Sequence, residues 1–152
     1  MKEPLVSRIL LYTLYVGFAL AVVVTLTLPL MLDQYFNILY DVYSLRQGYR
    51  TFILVFLMAV GFAGCWVILE LILMLRSIPR NPFVPRNVRA LNRVGVIFLV
   101  LAAAFWGKCL WYVTILTMLC CAIFMLGGMF AFTLSSLFRQ AVAYREENDL
   151  TI

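Results

Sequence analysis

The sequence contains no histidine, and only 12% of its 152 residues are charged. Without histidine there can be no Ser-His or Cys-His catalytic arrangement, no histidine-ligated zinc or haem, and no general base of the commonest kind near neutral pH. A soluble domain carries about a quarter charged residues, so the shortage of charge argues against a water-soluble globule. Cysteine occurs four times, at Cys65, Cys109, Cys120 and Cys121, but never as Cys-x-x-Cys. Cys120 and Cys121 are neighbours that point to different helix faces, so the four read as small buried hydrophobes, with no disulfide expected. No stretch alternates apolar and polar residues for long, which removes a membrane β-barrel. Internal repeats and low-complexity segments are absent as well.

What the chain has instead is apolar length: 65% of residues are hydrophobic and the mean hydropathy is +1.01. Charges divide it into blocks. Ile9 to Leu32 is free of charge, and its 24 residues make about 36 Å of helix, enough to cross a hydrocarbon core of roughly 30 Å. That run is longer than a signal-peptide core, and no small-x-small cleavage site follows it, so a retained helix is expected. Pro29 is placed to kink it, with Thr25 and Thr27 available to carbonyls freed there. Thr51 to Leu75 is broken only by Glu70, and Val94 to Phe138 only by Lys108. The last block is too long for one crossing and must fold back, most simply around Gly107-Lys108-Cys109.

The expected fold is therefore all-α, a single integral membrane bundle of four transmembrane helices near 9–32, 51–75, 91–107 and 110–139. An outer loop (33–50), an inner loop (76–90) and a tail (140–152) complete it. Helix three can restart as early as Arg86 or Asn87, with Asn87 as candidate N-cap. Apolar residues at 35, 36, 39, 40 and 43 predict a short interfacial helix in the outer loop, where an external ligand pocket is a minor alternative. Nine basic residues (Lys2, Arg8, Arg76, Arg80, Arg86, Arg89, Arg93, Arg139, Arg145) fall on the side shared by both termini and the inner loop; three (Arg46, Arg50, Lys108) fall opposite. The positive-inside rule then places both termini in the cytoplasm. The formal charge of +5 thus reflects topology, and direct nucleic-acid contact is not expected.

Few polar residues remain as candidates for chemistry. Glu70 is the lone acid in an apolar run, and intramembrane ionisable groups are functional suspects. It can form a structural ion pair with Arg93 or Arg139, carry a proton or ligand, or snorkel to the interface. The inner loop carries Arg76, Arg80, Arg86, Arg89 and Arg93 with no acid, and Arg86, Arg89 and Arg93 recur at helical spacing. Such a patch suits anionic lipid headgroups at about 1 kcal/mol per arginine, or an acidic protein partner. Glu146, Glu147 and Asp149 in the tail can fold back on that loop as one cytoplasmic cap. Small-xxx-small pairs at Gly17/Ala21, Ala59/Ala63 and Gly127/Ala131 are expected to pack helices together or form a homo-oligomer seam.

At the loop and tail the sequence resembles a known group. Asn81-Pro82-Phe83, then Asn87-Val88-x-x-Leu91-x-x-x-Gly95, and Arg145-Glu146-Glu147-Asn148-Asp149-Leu150-Thr151-Ile152 are similar to motifs of small bacterial four-helix membrane proteins catalogued as a domain of unknown function. The resemblance extends over nearly the whole chain. Members tend to carry acids just before Asn-Val, where this sequence has Pro85-Arg86 and a more basic loop. Genes of the group often lie beside one for a small helix-turn-helix regulator, which implies a membrane partner for a transcription factor. The resemblance supplies no catalytic residues.

Three functions compete on these residues. The leading one is a non-enzymatic inner-membrane protein without cofactor or metal, binding a partner through Arg80, Arg86, Arg89, Arg93, Glu146, Glu147 and Asp149. The second is a small transporter, or its accessory subunit, that uses Glu70. The third, a four-helix glutathione-using membrane enzyme, needs polar groups at several depths that the apolar blocks do not offer. Intramembrane proteolysis lacks its paired aspartates, Ser/His pair or zinc ligands.

Overall fold

The computed structural model describes residues 5–40, 47–77, 84–111 and 113–149, with side chains at all of these except 36–40, 47, 111, 146, 148 and 149. They form four α-helices: α1 (Leu5–Tyr40), α2 (Gln47–Ser77), α3 (Pro85–Trp111) and α4 (Ile115–Asp149). Among the described residues there is no strand. Each helix is long and apolar enough to cross a membrane. Much of the apolar surface faces outward: Leu20, Leu30, Val55, Trp66, Val100, Leu126 and Phe130 are all exposed. In water so large an apolar exterior would drive association; in hydrocarbon it is the expected solvent contact. The chain is a multi-pass membrane protein.

The helices differ from expectation at three ends. α1 does not stop near residue 32; it continues to Tyr40, so the first half of the outer segment prolongs α1 instead of forming a separate interfacial helix. Pro29 is accommodated inside it, while the Thr25 and Thr27 hydroxyls donate to Ala21 and Val23 (2.7 and 2.9 Å) and not to the carbonyl that Pro29 leaves unpaired. α3 runs past Gly107 and Lys108 to Trp111, and the reversal comes after it, before α4 begins at Ile115. The reason is local: the Thr114 carbonyl accepts from Met118 N–H (3.1 Å) as the first turn of α4 closes, and Lys108 Nζ reaches Thr117 Oγ1 (3.4 Å). That contact lets the ammonium stay on a helix while its charge extends toward the polar end. α4 then extends unbroken to Asp149, so the acidic tail continues along the helix axis and, over the described residues, does not turn back as a cap.

The chain divides into two compact units. In the unit spanning residues 4–69, α1 and the first part of α2 meet where a Cβ on Gly61 would lie 2.5 Å from Thr25 Oγ1 and 2.8 Å from its Cγ2. The small residue that permits this approach is Gly61; Gly17 has no neighbour within 4 Å of where its Cβ would stand, and Ala59 is exposed. Arg50 pairs with Asp33 in the same unit, both side chains about half exposed, so the pair adds at most about 1 kcal/mol.

The unit from Glu70 onward contains the end of α2, α3 and α4. α3 and α4 form an antiparallel hairpin with its core at Leu91, Val94, Leu101, Phe105, Cys121 and Ala131. Phe124 packs between Phe98 and Phe105, with ring centroids 5.7 and 5.4 Å away. At Gly128 the two backbones come close: a Cβ there would be 3.2 Å from the Gly95 carbonyl oxygen and 3.0 Å from Leu99 Cδ2. Gly127 meets the Phe98 ring next to it, so the Gly127/Ala131 stripe lies in this hairpin. All four cysteines are free thiols, and Cys121 donates to the Ala102 carbonyl (3.4 Å).

Candidate functional site

Polar side chains gather at the end of the second unit where α2 finishes, α3 starts and α4 carries Ser135 to Arg139. Proline explains how α3 starts there. Pro85 occupies the first helical position, where its missing N–H costs nothing and its fixed φ suits the helix. Asn87 N–H donates to the Val84 carbonyl (3.0 Å), so the residue capping this end is Val84 and not Asn87. Asn87 has a different task. It is 1% exposed, and its Oδ1 lies 2.7 Å from Ser77 Oγ at the last turn of α2. Ser77 Oγ is also 2.7 Å from the Met74 carbonyl, and its single proton serves one acceptor at a time.

Two turns deeper on α2 stands Glu70, 7% exposed. Arg93 closes on it as a fork, with Nε 3.1 Å from Oε1 and Nη2 3.3 Å from Oε2. Two parallel charge-assisted bonds satisfy both carboxylate oxygens, the geometry arginine favours with carboxylates. On α4, the buried Ser135 donates to the Val88 carbonyl (3.1 Å) and sets the register between the two helices. Three helix segments are thus tied by side-chain hydrogen bonds within a few turns.

The arginines do not act as one patch. Arg93 goes to α2 and Glu70. Arg89, exposed, turns to the groove between α3 and α4, where Arg139 faces it across a cavity of about 480 Å³. Asn92, Ser136, Phe132 and Val142 line the same cavity. Arg86 is exposed on the first turn of α3. Arg80 and the side chains of Glu146 and Asp149 lie outside the described residues, while Glu147 is exposed on the last turns of α4. Sequence reasoning missed Asn92, Ser135 and Ser136, and beyond the charge count that sets orientation it considered Arg139 only as a partner for Glu70. Their signal was the return of serine and arginine at the end of the last apolar block, which gains meaning only once the hairpin register is known. Among the described residues no group of three Cys, Asp or Glu side chains is placed to hold a metal ion.

A family model with the description "Protein of unknown function (DUF2975)" matches residues 4–152 of this chain. No curated protein and no solved structure matches it.

Proposed function

The chain belongs to the DUF2975 family of proteins of unknown function, and we propose that it is a non-enzymatic protein of the bacterial inner membrane with both termini in the cytoplasm, whose arginine-bearing end receives a soluble acidic partner. The resemblance to that group implies a small helix-turn-helix regulator in this role. Contact runs through the exposed basic side chains at the start of α3, Arg86 above all, together with Arg80 in the preceding loop and the acidic stretch Glu146, Glu147 and Asp149 at the end of α4. Anionic headgroups at the same interface hold the platform in place. A homo-oligomer is compatible with the exposed apolar faces but is not required by this reading.

The observation that carries the reading is how this end is built. Polar ties (Glu70–Arg93, Ser77–Asn87, Ser135–Val88) fix three helix segments, and Arg86, Arg89 and Arg139 are left exposed. A rigid platform with exposed charge suits docking, because little side-chain and loop entropy is lost on binding. The transporter reading needs Glu70 to exchange a proton or ligand, and its two-bond fork to Arg93 supports a structural role instead.

Full-length protein in nanodiscs, titrated with a purified small helix-turn-helix regulator from the same bacterium, tests the proposal. Binding is expected in the micromolar range or tighter, and Arg80→Glu with Arg86→Glu should weaken it by about tenfold or more, since like charge at an interface costs a few kcal/mol. Absence of binding by the wild-type protein would overturn the proposal.

A further inference from the structure

The groove between α3 and α4 has the form of a lipid site rather than of a general basic surface. Arg89 and Arg139 approach it from two different helices, with the exposed side chains of Asn92 and Ser136 beside them. This assembles two guanidiniums, an amide and a hydroxyl around one volume of about 480 Å³. Guanidinium forks are matched to phosphate oxygens, and amide and hydroxyl protons complete the acceptors that phosphate offers. Nothing acidic lines the cavity. Neither arginine has an ion-pair partner among the described residues, in contrast with Arg93 and Arg50.

The groove also has a direction. Going down from the arginines, the lining becomes Phe132, and the same faces continue with Val96 and Leu99 on α3 and Met129 and Met125 on α4, all exposed. Positions 92, 96 and 99 share one helical stripe, as do 132, 129 and 125. Polar donors at the mouth and apolar walls below, parallel to helices that span hydrocarbon, match a molecule with an anionic head and acyl tails. A free phosphate would use only the mouth.

We infer that the α3–α4 groove binds an anionic glycerophospholipid, its phosphate held between Arg89 and Arg139 and its acyl chain laid along Val96, Leu99, Met125 and Met129. The inference rests on α3 and α4 crossing a bilayer and is independent of the regulator. A protein that retains the lipid yet binds no regulator leaves it standing, and the reverse result overturns it alone.

The test is native mass spectrometry of the full-length protein in detergent, titrated with dioleoylphosphatidylglycerol, dioleoylphosphatidylcholine or tail-less glycerol phosphate. Phosphatidylglycerol adducts should survive collisional activation and exceed phosphatidylcholine adducts several-fold, with none from glycerol phosphate at matched concentration. Arg89→Gln with Arg139→Gln should weaken phosphatidylglycerol binding by about tenfold or more, given about fivefold per surface arginine. Arg145→Gln, which removes the same charge farther along α4 outside the groove, should change it less than twofold. Ser136→Trp keeps both charges and fills the mouth, so it should lower binding even if the double variant folds poorly. Unchanged binding in either groove variant, an equal loss with Arg145→Gln, or displacement of the lipid by glycerol phosphate would each overturn the site.

Discussion

Arg93→Ala is expected to lower the unfolding free energy of the detergent-solubilised protein by about 3 kcal/mol. Removing one partner of a buried pair strands the other, and the reported range for that loss is about 3–5 kcal/mol. The lower end applies because the Arg93 side chain is 55% exposed while that of Glu70 is 9% exposed. Glu70 lies seven residues before the end of α2, about 10 Å along the axis, on a helix whose surface faces hydrocarbon. Water therefore offers the stranded carboxylate little substitute for the two bonds that Arg93 supplies. Glu70→Gln should cost less, since a neutral amide needs no counter-charge and still accepts one guanidinium bond. Arg93→Lys should fall between them, as one ammonium replaces the fork. The informative variant is the double replacement Glu70→Met with Arg93→Met, which removes both charges and should recover most of the loss. Chemical unfolding followed by circular dichroism reads all four. If Arg93→Ala were as stable as the wild type, the fork would not be what organises this end.

Gly128→Leu is expected to be comparably damaging, for a different reason. A Cβ at this position already falls 3.2 Å from the Gly95 carbonyl oxygen, a backbone atom that cannot rotate away. The other near neighbour is the exposed side chain of Leu99, which can swing outward, so the backbone contact sets the cost. Overpacking of a tight core costs about 1–3 kcal/mol, and a leucine at a backbone-to-backbone contact belongs at or above the upper limit. Its effect should reach the polar end as well: moving the helices apart lengthens Ser135–Val88 and shifts the register that places Arg139 opposite Arg89. Gly17→Leu is the matched control. It adds the same side chain to a helix where nothing lies within 4 Å of the new Cβ, and it should leave the melting temperature within a degree or two. A melting temperature for Gly128→Leu equal to that of Gly17→Leu would contradict the close contact.

These two variants also mark where sequence was informative and where it was not. Helix number and class were legible because charge-free blocks longer than a bilayer admit few alternatives, and Glu70 was conspicuous as a lone acid within one of them. The identity of its partner was not legible, because Arg93 and Arg139 were both within reach until the α3–α4 register was known. The reversal was misplaced by five residues or so because glycine and lysine were read as punctuation. In a membrane helix glycine is tolerated, and lysine can extend its charge along the helix, as Lys108 does toward Thr117. Asn87 offered cap chemistry by sequence, yet Pro85 moved the helix start upstream and left the amide buried against Ser77. The lipid groove was the least visible feature. It depends on Arg89 and Arg139, 50 positions apart, meeting across a hairpin that Gly95 and Gly128 allow to close.

The proposed topology puts the end where α2, α3 and α4 tie together at the cytoplasmic surface of a bilayer that the helices cross. Fusing green fluorescent protein or alkaline phosphatase after residues 45, 85 and 152 measures this directly. Fluorescence without phosphatase activity at 85 and 152, and phosphatase activity without fluorescence at 45, is the predicted result. Phosphatase activity at 85 or 152 would contradict it.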